Sequence, residues 1–255
     1  MVDLLASGVF FSGFIKDLLC LPRPLSPPLQ RITMSGSAAL EYGFPSTHST
    51  NAVSVAVYVL ALLNAPDSTF TSGVNVLLQG ITYLYVGSIV LGRLYCGMHG
   101  FFDVIVGCFL GTVIAAVHYL NDAEIHEFAH SGTGMQVMVM VLIIVALVRI
   151  HPEPADDCPC FDDSVAFAGV LLGAQVGYWH ASQREAVGDY RVNLNYRLEH
   201  LGLSKMSLRL ISGVLLLFVW RAISKPFLLR MLPPVFRGLE KVGLILPRRF
   251  FTKAS

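Results

Sequence analysis

Apolar residues run through this chain in blocks rather than in alternation. Ser49–Leu63, Val74–Leu91, Phe101–Leu120, Met135–Ile150, Val165–Trp179 and Leu208–Ile223 are predominantly apolar, with short polar breaks between them. An earlier block, Leu4–Ile15, ends at Lys16-Asp17. It is shorter than the roughly 20 residues a membrane-spanning helix needs, and several other blocks must borrow flanking residues to reach that length. The first three of the six hold no Lys or Arg. Lipid cannot hydrogen-bond a free N–H or C=O, so a spanning segment must satisfy its own backbone. The period-2 pattern of a membrane β-barrel is missing. The pattern therefore predicts an all-α fold, a polytopic membrane bundle with its polar residues at helix ends. Between the first two blocks, Pro22, Pro24, Pro27 and Pro28 forbid a continuous helix. Leu21–Thr47 is read as an ordered loop at a membrane surface. Gly169, Gly173 and Gly177 recur every four residues, a spacing that predicts a close helix-packing face.

Composition sharpens this picture. Hydrophobic residues make up 54% of the 255 and charged residues 14%, against roughly 25% in soluble domains. A net charge of +1 leaves no excess of cations for a nucleic acid. The basic residues Lys225, Arg230, Arg237, Lys241, Arg248, Arg249 and Lys253 gather late in the chain. The expected division is a membrane-embedded domain over residues 1–232, with further spans in 135–223, and a basic tail over 233–255. Arg184, Arg191, Arg197 and Lys205 place the loop Gln183–Ser207 on the cytoplasmic side. The basic tail gives the opposite answer unless Val235–Leu246 re-enters the membrane, so charge does not decide orientation. Five cysteines, with only Cys158-Pro-Cys160 closely spaced, argue against a disulfide scaffold or a zinc knuckle. They are read as loop cysteines without a redox role. No cleavable signal peptide is evident.

Three polar clusters at block ends carry candidate chemistry. They are Lys16-x6-Arg23-Pro24, Pro45-Ser46-Thr47-His48, and Arg93-x5-His99-x3-Asp103. His99 and Asp103 are four apart at a helix start and share a face. A carboxylate there can hold one imidazole nitrogen and leave the other as a nucleophile. Lys16, Arg23 and Arg93 can neutralise the three equatorial oxygens of a phosphoryl group in transfer. Ser46 can donate a hydroxyl hydrogen bond, and Thr47 and His48 stand where free helix N–H groups favour an anion. His48 can protonate a departing alkoxide and then activate water. Taken singly, helix-end cations are more often interfacial anchors and a helix-start His a cap; the ordered set is far more specific.

The remaining candidates read as structural. His126 and His130 sit in an acidic break with Glu124 and Glu127, without a third ligand, and read as solvated loop. His118, His151, His180 and His200 are isolated, and Asp156, Asp157, Asp162 and Asp163 read as a solvated charge run. No metal set or cofactor motif is visible.

At these three clusters the sequence resembles the type 2 phosphatidic-acid phosphatase superfamily, whose pattern is K-x6-R-P, then P-S-G-H, then S-R-x5-H-x3-D. The resemblance implies His99 as nucleophile, Asp103 as its orienting partner and His48 as general acid. It implies Lys16, Arg23, Ser46, Thr47 and Arg93 as the phosphate-binding set. Thr47 replaces the family's Gly and Gly92 its Ser. The first change, the stretch His151–Asp163 and the later apolar blocks are similar to the fungal and plant members of the sphingosine-1-phosphate phosphatase branch. That branch implies a phosphorylated sphingoid substrate among membrane lipids, an endoplasmic reticulum membrane, a lumenal site, and no obligate protein partner. Family members usually carry two or more spans before the first motif. Here about fifteen residues precede Lys16, so the early helices are expected to be missing and the bundle less stable. The alternatives are a broad lipid phosphate or isoprenyl-pyrophosphate phosphatase and a catalytically silent, truncated relative. A channel would instead place its ionisable residues within the spans.

Overall fold

The structure is a computed structural model that describes residues 1–26, 28–33, 36, 40–66, 70–130, 134–156, 158–186 and 198–243. It is built from helices, with no strand among the described residues. They are α1 (Val2–Leu19), α2 (Thr47–Leu63), α3 (Ser72–Tyr95), α4 (Phe101–Leu120), α5 (Asp122–His130), α6 (Gly134–Ile150), α7 (Cys160–Ala186) and α8 (Leu198–Lys241). Each expected block lies within one of these helices. Three stretches, Ser72–Tyr95, Phe101–Leu120 and Gly202–Lys241, are long and apolar enough to cross a membrane. The expected all-α membrane bundle is the fold observed. The polar break at Asp122–His130 is helical rather than loop, as its Ala and Glu content favours. The side chains of His126, His130, Arg184 and His200, and all of Asp157, Arg191, Arg197, Arg248, Arg249 and Lys253, lie outside the described residues.

The chain divides into two compact units, Met1–Asp189 and Tyr190–Ser255. In the first, α2 packs along α4 and α1 along α7, while α1 also meets α2 and α4. Helix α1 is thus an interior element despite its short apolar block. It buries Leu4, Ala6, Gly8, Phe10, Ser12, Gly13, Lys16 and Asp17 along its length. In the second unit, α8 runs from Leu198 to Lys241, with a non-helical Gly202 (φ 68) and with Pro226, Pro233 and Pro234 inside it.

A close helix contact falls on glycines other than the expected three. A Cβ on Gly107 would lie 2.7 Å from the Ser46 carbonyl oxygen, and one on Gly111 would overlap that of Thr50. A Cβ on Gly169, Gly173 or Gly177 would meet nothing within 4 Å among the described residues. Among the described residues the pair on α4, and not the stripe on α7, meets a neighbouring helix backbone closely. Glycine spacing marks where backbones can approach, not which helix takes the opening. The α2–α4 contact brings together the N-terminal ends of both helices, where two of the motif clusters sit.

Candidate functional site

Each cluster is delivered by a specific piece of backbone. Helix α1 ends at Cys20, whose left-handed φ of 50° reverses the chain while its N–H closes on the Lys16 carbonyl at 2.8 Å. Lys16 is thereby left in the last turn, and Arg23 three residues past the cap. Ser46 caps α2, accepting from the Ser49 N–H at 3.4 Å and the Ser49 hydroxyl at 3.0 Å. His48 follows in the first turn. Gly100 caps α4, and Asp103 closes that cap by accepting the Gly100 N–H at 2.7 Å. His99 occupies the short link between α3 and α4.

Lys16, Arg23, Thr47, His48 and His99 all line one cavity of about 350 Å³. Lys16, Arg23 and His99 are only 5%, 7% and 4% exposed. Arg23 holds the surrounding loops together. Its Nη1 donates to the Met98 carbonyl at 3.1 Å, its Nε to the Glu41 carbonyl at 3.2 Å, and its Nη2 to Glu41 Oε2 at 2.6 Å. The same Glu41 oxygen is 3.9 Å from Lys16 Nζ. A carboxylate oxygen thus stands between two cations, the position a phosphoryl oxygen would need.

The orientation of His99 is set by its neighbours. Its Nδ1 lies 2.8 Å from the Gly43 carbonyl oxygen, which can only accept, so Nδ1 carries the proton of the neutral ring and Nε2 keeps its lone pair. Asp103 Oδ2 is 3.8 Å from Nδ1, beyond hydrogen-bond reach. The acceptor that fixes the tautomer is therefore the Gly43 carbonyl, with Asp103 behind it. Gly43 is required there, because a Cβ would lie 2.9 Å from the Pro22 carbonyl oxygen and 3.0 Å from the Arg23 Cα. Burial, then the charges of Arg23 and Lys16, push His99 down to about 3, with Arg93 adding to the effect and the Gly43 bond opposing it.

The other expected residues stand further back. Ser46 is fully buried in its cap, and Arg93 does not line the cavity, although its charge reaches His99. Thr47 Oγ1 accepts a hydrogen bond from Ser12 at 2.9 Å. Sequence reasoning missed Glu41, Gly43 and Asp163, which no motif marked. Asp163, read as part of a solvated charge run, lies in the first turn of α7 and lines the cavity. His151, read as isolated, is fully buried, with Nδ1 3.7 Å from Asp17 Oδ2 and Nε2 3.1 Å from Ser164 Oγ. Cys158, in the link before α7, and Cys160, the first residue of α7, are buried, and their sulfurs form a disulfide. Asp17 lies beside them, and one atom from each of the three residues falls within 4.8 Å of the others.

The site can hold an anion on buried cations and present an unprotonated imidazole nitrogen to it. Residues 2–125 match the PAP2 superfamily. A dihydrosphingosine 1-phosphate phosphatase of Schizosaccharomyces pombe is 40% identical over 240 residues, which are 94% of this chain and 57% of that protein. One of Saccharomyces cerevisiae is 35% identical over 244 residues, 93% of this chain and 57% of that protein. An Arabidopsis thaliana lipid phosphate phosphatase delta is 29% identical over 180 residues, 69% of this chain and 43% of its own length. The chain thus spans little more than half the length of the two fungal relatives. No solved structure matches it. Residues 2–125 of this chain are a PAP2 superfamily domain.

Proposed function

We propose that this chain hydrolyses the phosphate monoester of a sphingoid long-chain base 1-phosphate, without a metal, through a phosphohistidine on His99. The observation that carries the proposal is the pairing of His99 Nδ1 with an acceptor-only carbonyl beside a cavity lined by Lys16 and Arg23. Nε2 attacks phosphorus while the bond to the lipid oxygen breaks. His48 gives that oxygen its proton. Water then attacks the phosphohistidine, His48 takes the water's proton, and inorganic phosphate leaves with His99 restored. Lys16 and Arg23 bind the equatorial oxygens, displacing the Glu41 carboxylate from between them. Thr47 contributes at the start of α2. Arg93 acts through its charge, and Ser46 and Asp103 hold the two helix starts that position His48 and His99.

The substrate class rests on the two fungal relatives, both named dihydrosphingosine 1-phosphate phosphatases. The location, an endoplasmic reticulum membrane with the cavity toward the lumen, rests on the family resemblance alone. Phosphate release by membranes containing the chain tests the reaction. With EDTA present, dihydrosphingosine 1-phosphate and phosphatidic acid are offered side by side. Release that persists in EDTA and favours the sphingoid substrate is expected. Equal rates on both would make the chain a broad lipid phosphatase, and loss of release in EDTA would overturn the metal-free scheme.

A further inference from the structure

Among the described residues two carboxylates line the phosphate-binding cavity, Glu41 and Asp163. A carboxylate there works against binding a phosphate unless it meets a cation. Glu41 has its cations, at 2.6 Å from Arg23 and 3.9 Å from Lys16. The side chain of Asp163 makes no hydrogen bond and no ion pair among the described residues. It stands at the exposed start of α7, opening on the same cavity as Lys16. An acidic first turn would stabilise the helix dipole, but Asp162 already does that from the same turn without lining the cavity. Asp163 is therefore a carboxylate in an anion site with its charge uncompensated at hydrogen-bond range.

The proposed substrate carries the missing cation. In a sphingoid base 1-phosphate the ammonium sits on C2, separated from the phosphate ester oxygen by two carbons. A phosphate held by Lys16 and Arg23 brings that ammonium into the same cavity. Phosphatidic acid has a phosphate but no amine near it, and would face Asp163 with repulsion alone. We infer that Asp163 is the residue that selects for the free amine of the substrate, pairing with its ammonium while the cations hold its phosphate. The inference rests on the sphingoid-phosphate reading above and adds the group that distinguishes this substrate from amine-free lipid phosphates.

The test measures kcat/KM on dihydrosphingosine 1-phosphate and on its N-acetyl derivative, whose amide is neutral, in the same membranes. The wild-type chain should prefer the free amine by roughly two- to fivefold, the scale of an exposed ion pair. Asp163→Asn should lower the rate on the free amine and leave or raise the rate on the N-acetyl substrate, so the preference collapses. Asp162→Asn, on the same helix turn, should keep the wild-type preference. A preference that survives Asp163→Asn, or equal losses on both substrates, overturns the inference while leaving the phosphatase reading standing. A wild-type chain that hydrolyses neither substrate overturns both.

Discussion

Two buried histidines in this chain stand beside an aspartate at nearly the same distance, yet they are built for different work. His99 is 3.8 Å from Asp103, and His151 is 3.7 Å from Asp17. His151 is closed on every side. Phe10, Phe14 and Phe161 meet its ring nearly edge-on at 5.5, 5.4 and 5.1 Å, and its nitrogens face the Pro152 carbonyl oxygen and the Ser164 hydroxyl, both at 3.1 Å. Both nitrogens are occupied, so neither can attack. His99 has one nitrogen fixed and lines a cavity shared with two buried cations. A histidine–aspartate pair therefore does not define a catalytic centre. An open second nitrogen and positive charge where phosphate would sit do.

Three substitutions and one titration sharpen or break that contrast, taken from the largest effect down. His99→Ala should lower turnover by roughly 10³-fold or more, with thermal stability in detergent little changed. His151→Ala should do the reverse, costing about 2–4 kcal/mol of stability by emptying a packed polar site, with turnover per folded molecule kept. Loss of chemistry in well-folded His151→Ala protein would break the comparison. Arg23→Lys should reduce kcat/KM about tenfold, since one ammonium cannot replace a fork that reaches Met98, Glu41 and a phosphate together. The smallest change is spectroscopic. A histidine held at about 3 binds its proton only below the usual range, so His99 stays neutral across roughly pH 5–8. Ring signals from labelled His99 should not move over that interval; a titration near 6.5 would mean that the cations do not act on it as described.

The sequence made the helices legible because apolar block length sets them directly, and α4 matches its block at both ends. It also made the cations and histidines of the cavity legible, because phosphoryl chemistry demands those types near helix ends. Glu41, Gly43 and Asp163 were not legible. Gly43 acts through its backbone carbonyl and Glu41 through loop closure, and neither leaves a mark in spacing. Asp163 reaches the cavity only because α7 packs on α1, a contact no local pattern encodes. The same cause misplaced the glycine contact. Gly107 and Gly111 are packed because α2 lies against them, whereas the more regular stripe on α7 meets no neighbour among the described residues.

The claim tested most directly is that His99, and not His151, takes the phosphoryl group. Membranes containing the chain are mixed with dihydrosphingosine 1-phosphate labelled with 32P, and the reaction is stopped in alkali. Label bound to the protein, stable in alkali and released in acid, is expected in the wild-type chain and in His151→Ala, and absent in His99→Ala. Label retained by His99→Ala, or no labelled protein at any time in a chain that turns substrate over, would contradict the account.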